Sequence, residues 1–133
     1  MRTINILLIE DNEGDIVLTK EAFEDAKIMS KLNVVRDGKE AIEYLCAKGA
    51  YANRELPELL LLDINLPKIN GQDVLRFVKT SAELQRITVI MLTTSSYEKV
   101  ITITYNENVN CVITTPLDIT EFLHVVVCTQ HFC

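Results

Sequence analysis

The chain alternates short apolar runs with amphipathic stretches five times, and this alternation restricts its possible folds more than any other feature. The apolar runs are predicted to be strands at Ile4–Glu10, Leu32–Val35, Leu59–Asp63, Thr88–Thr93 and Cys111–Thr114. The stretches after them are predicted to be helices at Gly14–Asp25, Gly38–Lys48, Gln72–Thr80, Tyr97–Tyr105 and Ile119–Gln130. Strict alternation of strand and helix predicts an α/β fold, in which helices cover both faces of a parallel sheet.

Size and charge narrow the class of protein further. A length of 133 residues suits one domain, so we predict a single domain over residues 1–133. The formal net charge of −6 argues against a nucleic-acid surface, which needs Lys and Arg to neutralise phosphates. No apolar run approaches the roughly 18 residues that span a membrane, and the first strand begins too close to Met1 for a signal peptide. These features predict a cytoplasmic protein that binds neither nucleic acid nor membrane.

Acidic side chains follow two of the predicted strands at the point where each strand ends. Glu10 and Asp11 come at the end of the first strand, and Asp63 closes the apolar run of the third. Because ligands bind beyond the carboxyl ends of the strands in open parallel sheets, we expect these three acids to share one cleft. Neighbouring carboxylates repel one another, and a hard divalent cation such as Mg²⁺ relieves that repulsion.

A carboxylate placed like Asp63 can act as a nucleophile on a phosphoryl group, whose charge a bound metal would neutralise. The hydroxyls of residues 93–96, at the end of the fourth strand, would assist it. The alternative is that these acids only cap helices or lie in loops. Capping is a stronger alternative for Glu10 and Asp11 than for Asp63, because an acidic pair also ends the strand predicted beside Asp63.

Four motifs together resemble the receiver domain of two-component response regulators over nearly the whole chain. They are Leu7–Asn12, Leu62–Pro67 with Gly71, Met91–Ser95 and Asn110–Pro116. The resemblance implies a chemotaxis-regulator-like, flavodoxin-like fold, which is a doubly wound five-stranded parallel sheet in the order 2-1-3-4-5. It also implies a role in phosphorelay signal transduction.

The resemblance assigns a role to each acidic residue. It implies that Asp63 accepts a phosphoryl group from the phosphohistidine of a histidine kinase. It implies that Asp11, Asp63 and the backbone carbonyl of Asn65 bind Mg²⁺ directly, while Glu10 reaches the metal through water. Thr93 would donate a hydrogen bond to the phosphoryl group and report its presence.

Two positions in the phosphoryl and switch region depart from the family's pattern. The lysine that the family places before Pro116 is replaced by Thr115, whose short, uncharged hydroxyl cannot replace an ammonium group. The aromatic switch residue is replaced by Val112, while Thr94 retains a hydroxyl beside Thr93. These departures leave a second hypothesis open, a pseudo-receiver that binds partners without being phosphorylated.

Further shared motifs resemble the single-domain regulators that are paired with phytochrome-like histidine kinases. They are Glu10–Asn12, Val34–Gly38, the long loop around Tyr51, Asn65–Lys68, Leu92–Ser95 and Asn110–Cys111. The resemblance implies a phytochrome-like kinase as partner. The apolar C-terminal region, with Val125 and Val127, suits either a homodimer interface or a plain core.

An enzyme is the remaining hypothesis. A phosphatase of the haloacid dehalogenase type also places a nucleophilic aspartate after an apolar strand, but it needs a second aspartate two positions later. Asn65 occupies that position, and an amide cannot carry a proton between groups. We therefore predict a signalling module and not an enzyme.

Overall fold

In this computed structural model, which describes residues 3–93, 111–114 and 119–124, a five-stranded sheet organises the chain. The strands are β1 (Ile4–Ile9), β2 (Ser30–Val35), β3 (Leu59–Asp63), β4 (Thr88–Thr93) and β5 (Cys111–Thr114). The helices are α1 (Glu13–Asp25), α2 (Gly38–Leu45) and α3 (Gly71–Thr80), with a short 3₁₀ turn at Gly49–Tyr51. Residues 119–124 are also helical. The helix predicted at Tyr97–Tyr105 lies outside the described residues.

The strand order is β2-β1-β3-β4-β5, and every neighbouring pair is parallel. This confirms the predicted flavodoxin-like sheet. Ile9 is in register with both Val35 and Leu62, and Asp63 is in register with Leu92. The carboxyl ends of β1 and β3 therefore meet at one edge of the sheet, where the predicted acids lie.

Helices cover both faces of the sheet. Side chains alternate along β1, so that Leu7 and Ile9 pack with α2 and α3, whereas Ile6 and Leu8 pack with α1. On the α1 face, helical residues 119–124 reach the same core through Phe122, which is fully buried. The fully buried central strands explain why their apolar runs are unbroken. Within the described residues, no helix is long and apolar enough to cross a membrane.

Each of the three helices starts at a side-chain cap. The capping oxygens accept backbone N–H groups three residues ahead, in the pairs Asn12 with Asp15 (3.0 Å), Asp37 with Glu40 (2.7 Å) and Asn70 with Asp73 (2.9 Å). Asp37 is therefore the cap of α2. In a capping box, Glu40 would accept the backbone N–H of Asp37 in return. Here Glu40 Oε2 accepts the N–H of Arg36 instead, at 3.3 Å, one residue earlier in the chain.

Helix α2 is shorter than the sequence predicts, since it ends at Leu45 and not at Lys48. Ala47 has a left-handed φ of 55°, and the N–H of Lys48 donates to the carbonyl of Glu43 at 3.0 Å, which closes the last turn. The guanidinium of Arg54 then donates to the carbonyls of Tyr44 (3.0 Å) and Leu45 (2.6 Å). The loop after α2 is therefore fastened to the end of the helix that precedes it.

Candidate acidic site at the carboxyl edge of the sheet

Three carboxylates meet at the carboxyl ends of β1 and β3. Glu10 follows β1 directly, Asp11 comes next, and Asp63 is the last residue of β3. One carboxylate oxygen from each lies within 4.8 Å of the other two. Glu10 is only 3% exposed, Asp63 is partly buried and Asp11 is open to solvent. The site therefore has a buried floor and an open mouth.

Burial of Glu10 beside Asp63 controls the charge of the site. Burial, the hydrogen bond to Asp63 and the charge of Asp63 together raise the pKa of Glu10 from 4.5 to about 8. Burial also raises the pKa of Asp63, but the hydrogen bonds from Glu10 and from the N–H of Asn65 oppose that rise. At neutral pH, Glu10 therefore keeps its proton and donates a hydrogen bond to the ionised carboxylate of Asp63.

The backbone around Asp63 fixes the direction of its carboxylate. The N–H of Asn65 donates to Asp63 Oδ1 at 3.1 Å, and the N–H of Ile64 donates to the carbonyl of Leu92 on β4 at 3.1 Å. The loop returns at Gly71, whose N–H donates to the carbonyl of Ile64 at 3.0 Å. A Cβ on Gly71 would lie 2.4 Å from the carbonyl oxygen of Asp63, so only glycine permits this approach.

The first helix is capped by Asn12 and not by the acids before it. Asn12 Oδ1 accepts the N–H of Asp15, while the N–H of Asn12 itself donates to Glu10 Oε2 at 3.3 Å. This role of Asn12 was not predicted, although an asparagine just before a predicted helix is a known capping signal. Neither Glu10 nor Asp11 caps α1, which removes the alternative considered for that pair.

Two cations lie on the loops around the site, and each is paired with a carboxylate. Lys68, in the loop after β3, has a left-handed φ of 66° and places its Nζ 3.4 Å from Asp37 Oδ2. Arg36 Nε contacts Glu13 Oε1 at 2.5 Å, so that the end of β2 is bridged to the start of α1. The Arg36–Glu13 bridge is largely exposed to solvent, whereas Asp37 in the other bridge is mostly buried.

The remaining predicted site residues lie at the ends of β4 and β5. Thr93 is the last residue of β4, is 2% exposed and stands in register with Thr114 of β5. Val112 is 1% exposed and stands in register with Met91 in the core. Thr94, Thr115 and Pro116, and the C-terminal valines considered for a dimer, lie outside the described residues.

The comparison with protein families decides the class of this fold. The model of the response regulator receiver domain matches residues 6–127. The chain belongs to this family. The predicted resemblance is thereby confirmed, and with it the two-component class. Receivers of this family are signalling modules.

Individual response regulators are also similar to this chain in sequence and in structure. This receiver is 38% identical to the response regulator Rcp1 of a Synechocystis species over 121 residues, which cover 91% of this chain and 82% of Rcp1. The phosphorylated cyanobacterial phytochrome response regulator RcpA is 40% identical, with a TM-score of 0.78, over 98% of this chain and 94% of that one. The Mn²⁺-bound form of Rcp1 is 36% identical, with a TM-score of 0.76, over 97% and 93% of the two chains. The predicted relation to phytochrome regulators is confirmed.

Proposed function

We propose that this receiver takes a phosphoryl group from a histidine kinase onto Asp63 and signals by docking to other proteins. The observation that carries the proposal is the convergence of Glu10, Asp11 and Asp63 within 4.8 Å at the carboxyl edge of the sheet. The identity with RcpA, whose structure is that of a phosphorylated phytochrome regulator, supports both the chemistry and a phytochrome-like kinase as partner. We also propose that the protein works in the cytoplasm.

The transfer is a displacement at phosphorus by a carboxylate oxygen of Asp63. The new O–P bond forms as the P–N bond of the kinase phosphohistidine breaks, and the electron pair of that bond returns to the imidazole ring. The N–H of Asn65 holds Asp63 Oδ1 at 3.1 Å and so fixes the rotation of the nucleophile. Thr93, at the end of the neighbouring strand, is the proposed hydrogen-bond donor to the transferred group.

The donor set fits a hard divalent cation. Three carboxylates offer oxygens within 4.8 Å of one another, and hard cations such as Mg²⁺ prefer oxygen ligands. We propose that Asp11, Asp63 and the carbonyl of Asn65 hold Mg²⁺, with Glu10 behind them. When bound, Mg²⁺ would neutralise charge on the transferred phosphoryl oxygens. Glu10 must give up its proton for the set to bind a cation fully.

Incubation with acetyl phosphate and Mg²⁺ should add one phosphoryl group, and intact-mass spectrometry measures it. Replacing Mg²⁺ with EDTA should abolish the addition, because the ionised acids would then repel the incoming phosphoryl oxygens. Asp63→Asn should also abolish it, since an amide cannot act as the nucleophile. The matched control is Asp25→Asn, an exposed aspartate at the end of α1, which should be labelled as wild type is.

Equal labelling of Asp63→Asn and wild type would refute the assignment of the phosphoacceptor. No labelling of wild type under any metal condition would favour the pseudo-receiver, whose motivation is Thr115 in place of the lysine and Val112 in place of the aromatic residue.

A further inference from the structure

Strand β2 forms an edge of the sheet, and its hydrogen bonds show which backbone groups point outward. The N–H of Ile4 donates to the carbonyl of Met29 at 2.9 Å, and the N–H of Glu10 donates to the carbonyl of Val35 at 3.0 Å. In a parallel ladder between these two bonds, every odd-numbered residue of β2 turns both backbone groups toward β1. The even-numbered residues therefore turn theirs to the open edge, and these are Ser30, Leu32 and Val34.

The open edge ends at residue 36. The N–H of Arg36 continues the outward series, but Glu40 Oε2 accepts it at 3.3 Å. The other oxygen of Glu40 accepts the hydroxyl of Tyr51 at 2.5 Å, which fixes the carboxylate there. Among the described residues, no other strand pairs with β2 beyond β1. A stretch of five residues, 30 to 34, remains open, and it spans about 17 Å.

A groove of about 370 Å³ borders this edge on the α2 face. Its walls are the side chains of Lys31 and Asn33 on β2 and the loop that carries Tyr51, Arg54 and Glu55. Two cations and one carboxylate line it, in a chain whose formal net charge is −6. This groove therefore suits a negatively charged or amide side chain.

A second groove, of about 320 Å³, borders the same strand on the α1 face. Phe23, Ile28 and Leu32 form its apolar part, while Lys20 and Glu24 carry opposite charges along it. The aromatic ring of Phe23 is held in place by Phe122, with 4.9 Å between the ring centroids. This groove therefore suits an apolar side chain.

We propose that the β2 edge binds an extended peptide segment of a partner protein, with acidic residues on the α2 face and apolar residues on the α1 face. In a strand added to a sheet edge, main-chain hydrogen bonds supply affinity, and alternate side chains enter pockets on opposite faces. Both requirements are present at β2: outward N–H and C=O groups, and one groove on each face. Because one groove suits an acidic side chain and the other an apolar one, acidic and apolar residues should alternate along the peptide. The site is separate from the phosphoacceptor chemistry and does not depend on it.

Lys31 is the residue that would pair with the acidic side chain of the peptide. It is half exposed, and its Nζ contacts Glu55 Oε1 at 2.7 Å across the rim of the α2-side groove. An exposed pair of this kind contributes little to stability, so Lys31 can exchange one carboxylate for another. Changing its charge should therefore alter peptide binding while leaving the fold intact.

The test uses a blocked hexapeptide that alternates isoleucine and glutamate, titrated into the ¹⁵N-labelled full chain. Amide resonances of Leu32 and Val34 should shift, and their hydrogen exchange should slow. The amide of Asn33, which already faces β1, should keep its exchange rate. Lys31→Glu should weaken binding about tenfold. A peptide that alternates isoleucine and lysine should bind wild type more weakly than the acidic peptide does.

The matched control is Arg76→Glu on α3, which makes the same change of charge and also breaks one exposed ion pair, to Asp73. It should bind the acidic peptide as wild type does, and so should Asp63→Asn. The proposal is overturned if millimolar peptide leaves Leu32 and Val34 unshifted, or if the acidic and basic peptides bind equally. It is also overturned if sedimentation shows a dimer in which the amides of Leu32 and Val34 are already protected from exchange, because a second copy would then occupy the edge.

Discussion

Replacing Glu10 with glutamine should make the metal-free protein more stable at pH 8 and almost insensitive to pH between 5 and 8. Burial and the neighbouring Asp63 raise the pKa of Glu10 from 4.5 to about 8, so the folded chain keeps a proton that the unfolded chain releases above pH 4.5. The free energy of unfolding of wild type in EDTA should therefore fall as pH rises through that window, by a few kcal/mol, and level off above about pH 8. Glutamine has a similar shape, still donates to Asp63 and has no proton to lose. Urea denaturation at pH 5 and pH 8 measures the difference.

Mg²⁺ should reverse this order of stability. Wild type gains stability from the cation at pH 8, because binding to the folded state alone favours it. Glu10→Gln has one carboxylate fewer and should gain less. Glu21→Gln, at an exposed glutamate of α1, is the control and should follow wild type throughout. A variant at position 10 with the same pH slope as wild type in EDTA would show that Glu10 is ionised in the folded protein.

Replacing Gly71 with alanine should destabilise the fold by about 3 kcal/mol or more. The new Cβ would lie 2.4 Å from the carbonyl oxygen of Asp63 and 2.9 Å from the Cα of Ile64, and both contacts are with backbone that cannot rotate away. Movement of the loop would also disturb the turn that orients Asp63. Urea denaturation measures the loss of stability, and acetyl phosphate labelling measures the effect on the site.

Gly14→Ala provides the matched control for that substitution. Gly14 lies in the first turn of α1, and its added Cβ would lie 3.1 Å from a side-chain oxygen of Asn12, which can shift. Alanine also favours a helix over glycine, so the net change should stay within about 1 kcal/mol. Equal effects of the two substitutions would contradict the close approach at Gly71.

The sequence predicts the bounds of β3, β4 and β5 better than those of the edge strand β2. Strands β3, β4 and β5 begin and end at the predicted residues, and in β3 and β4 the apolar residues are all buried. Strand β2 starts at Ser30, two residues earlier than predicted, since an edge strand tolerates polar residues such as Lys31. The early end of α2 depends on Arg54, a residue nine positions beyond Leu45, and no local pattern reveals that contact.

At the site, the sequence predicts which acids share an edge but not how they differ. Glu10 and Asp11 are adjacent in the chain, yet one is buried and the other exposed. That difference arises because Glu10 lies against β2 and β3 while Asp11 turns outward, which depends on strand order. The raised pKa of Glu10, and with it the hydrogen bond to Asp63, depends on this burial and therefore cannot be predicted from the sequence. The metal and phosphoryl roles stay predictions.

The contact between Tyr51 and Glu40 gives the protein an optical reporter of its own. The chain has no tryptophan and four tyrosines, so its ultraviolet emission comes from tyrosine alone. The phenol of Tyr51 donates to a carboxylate at 2.5 Å, an arrangement that quenches tyrosine fluorescence, and its pKa is raised to about 12. Lifting the 3₁₀ turn away from α2 would separate the two groups and brighten the emission. Unlabelled protein in a fluorimeter can therefore show whether that turn is seated.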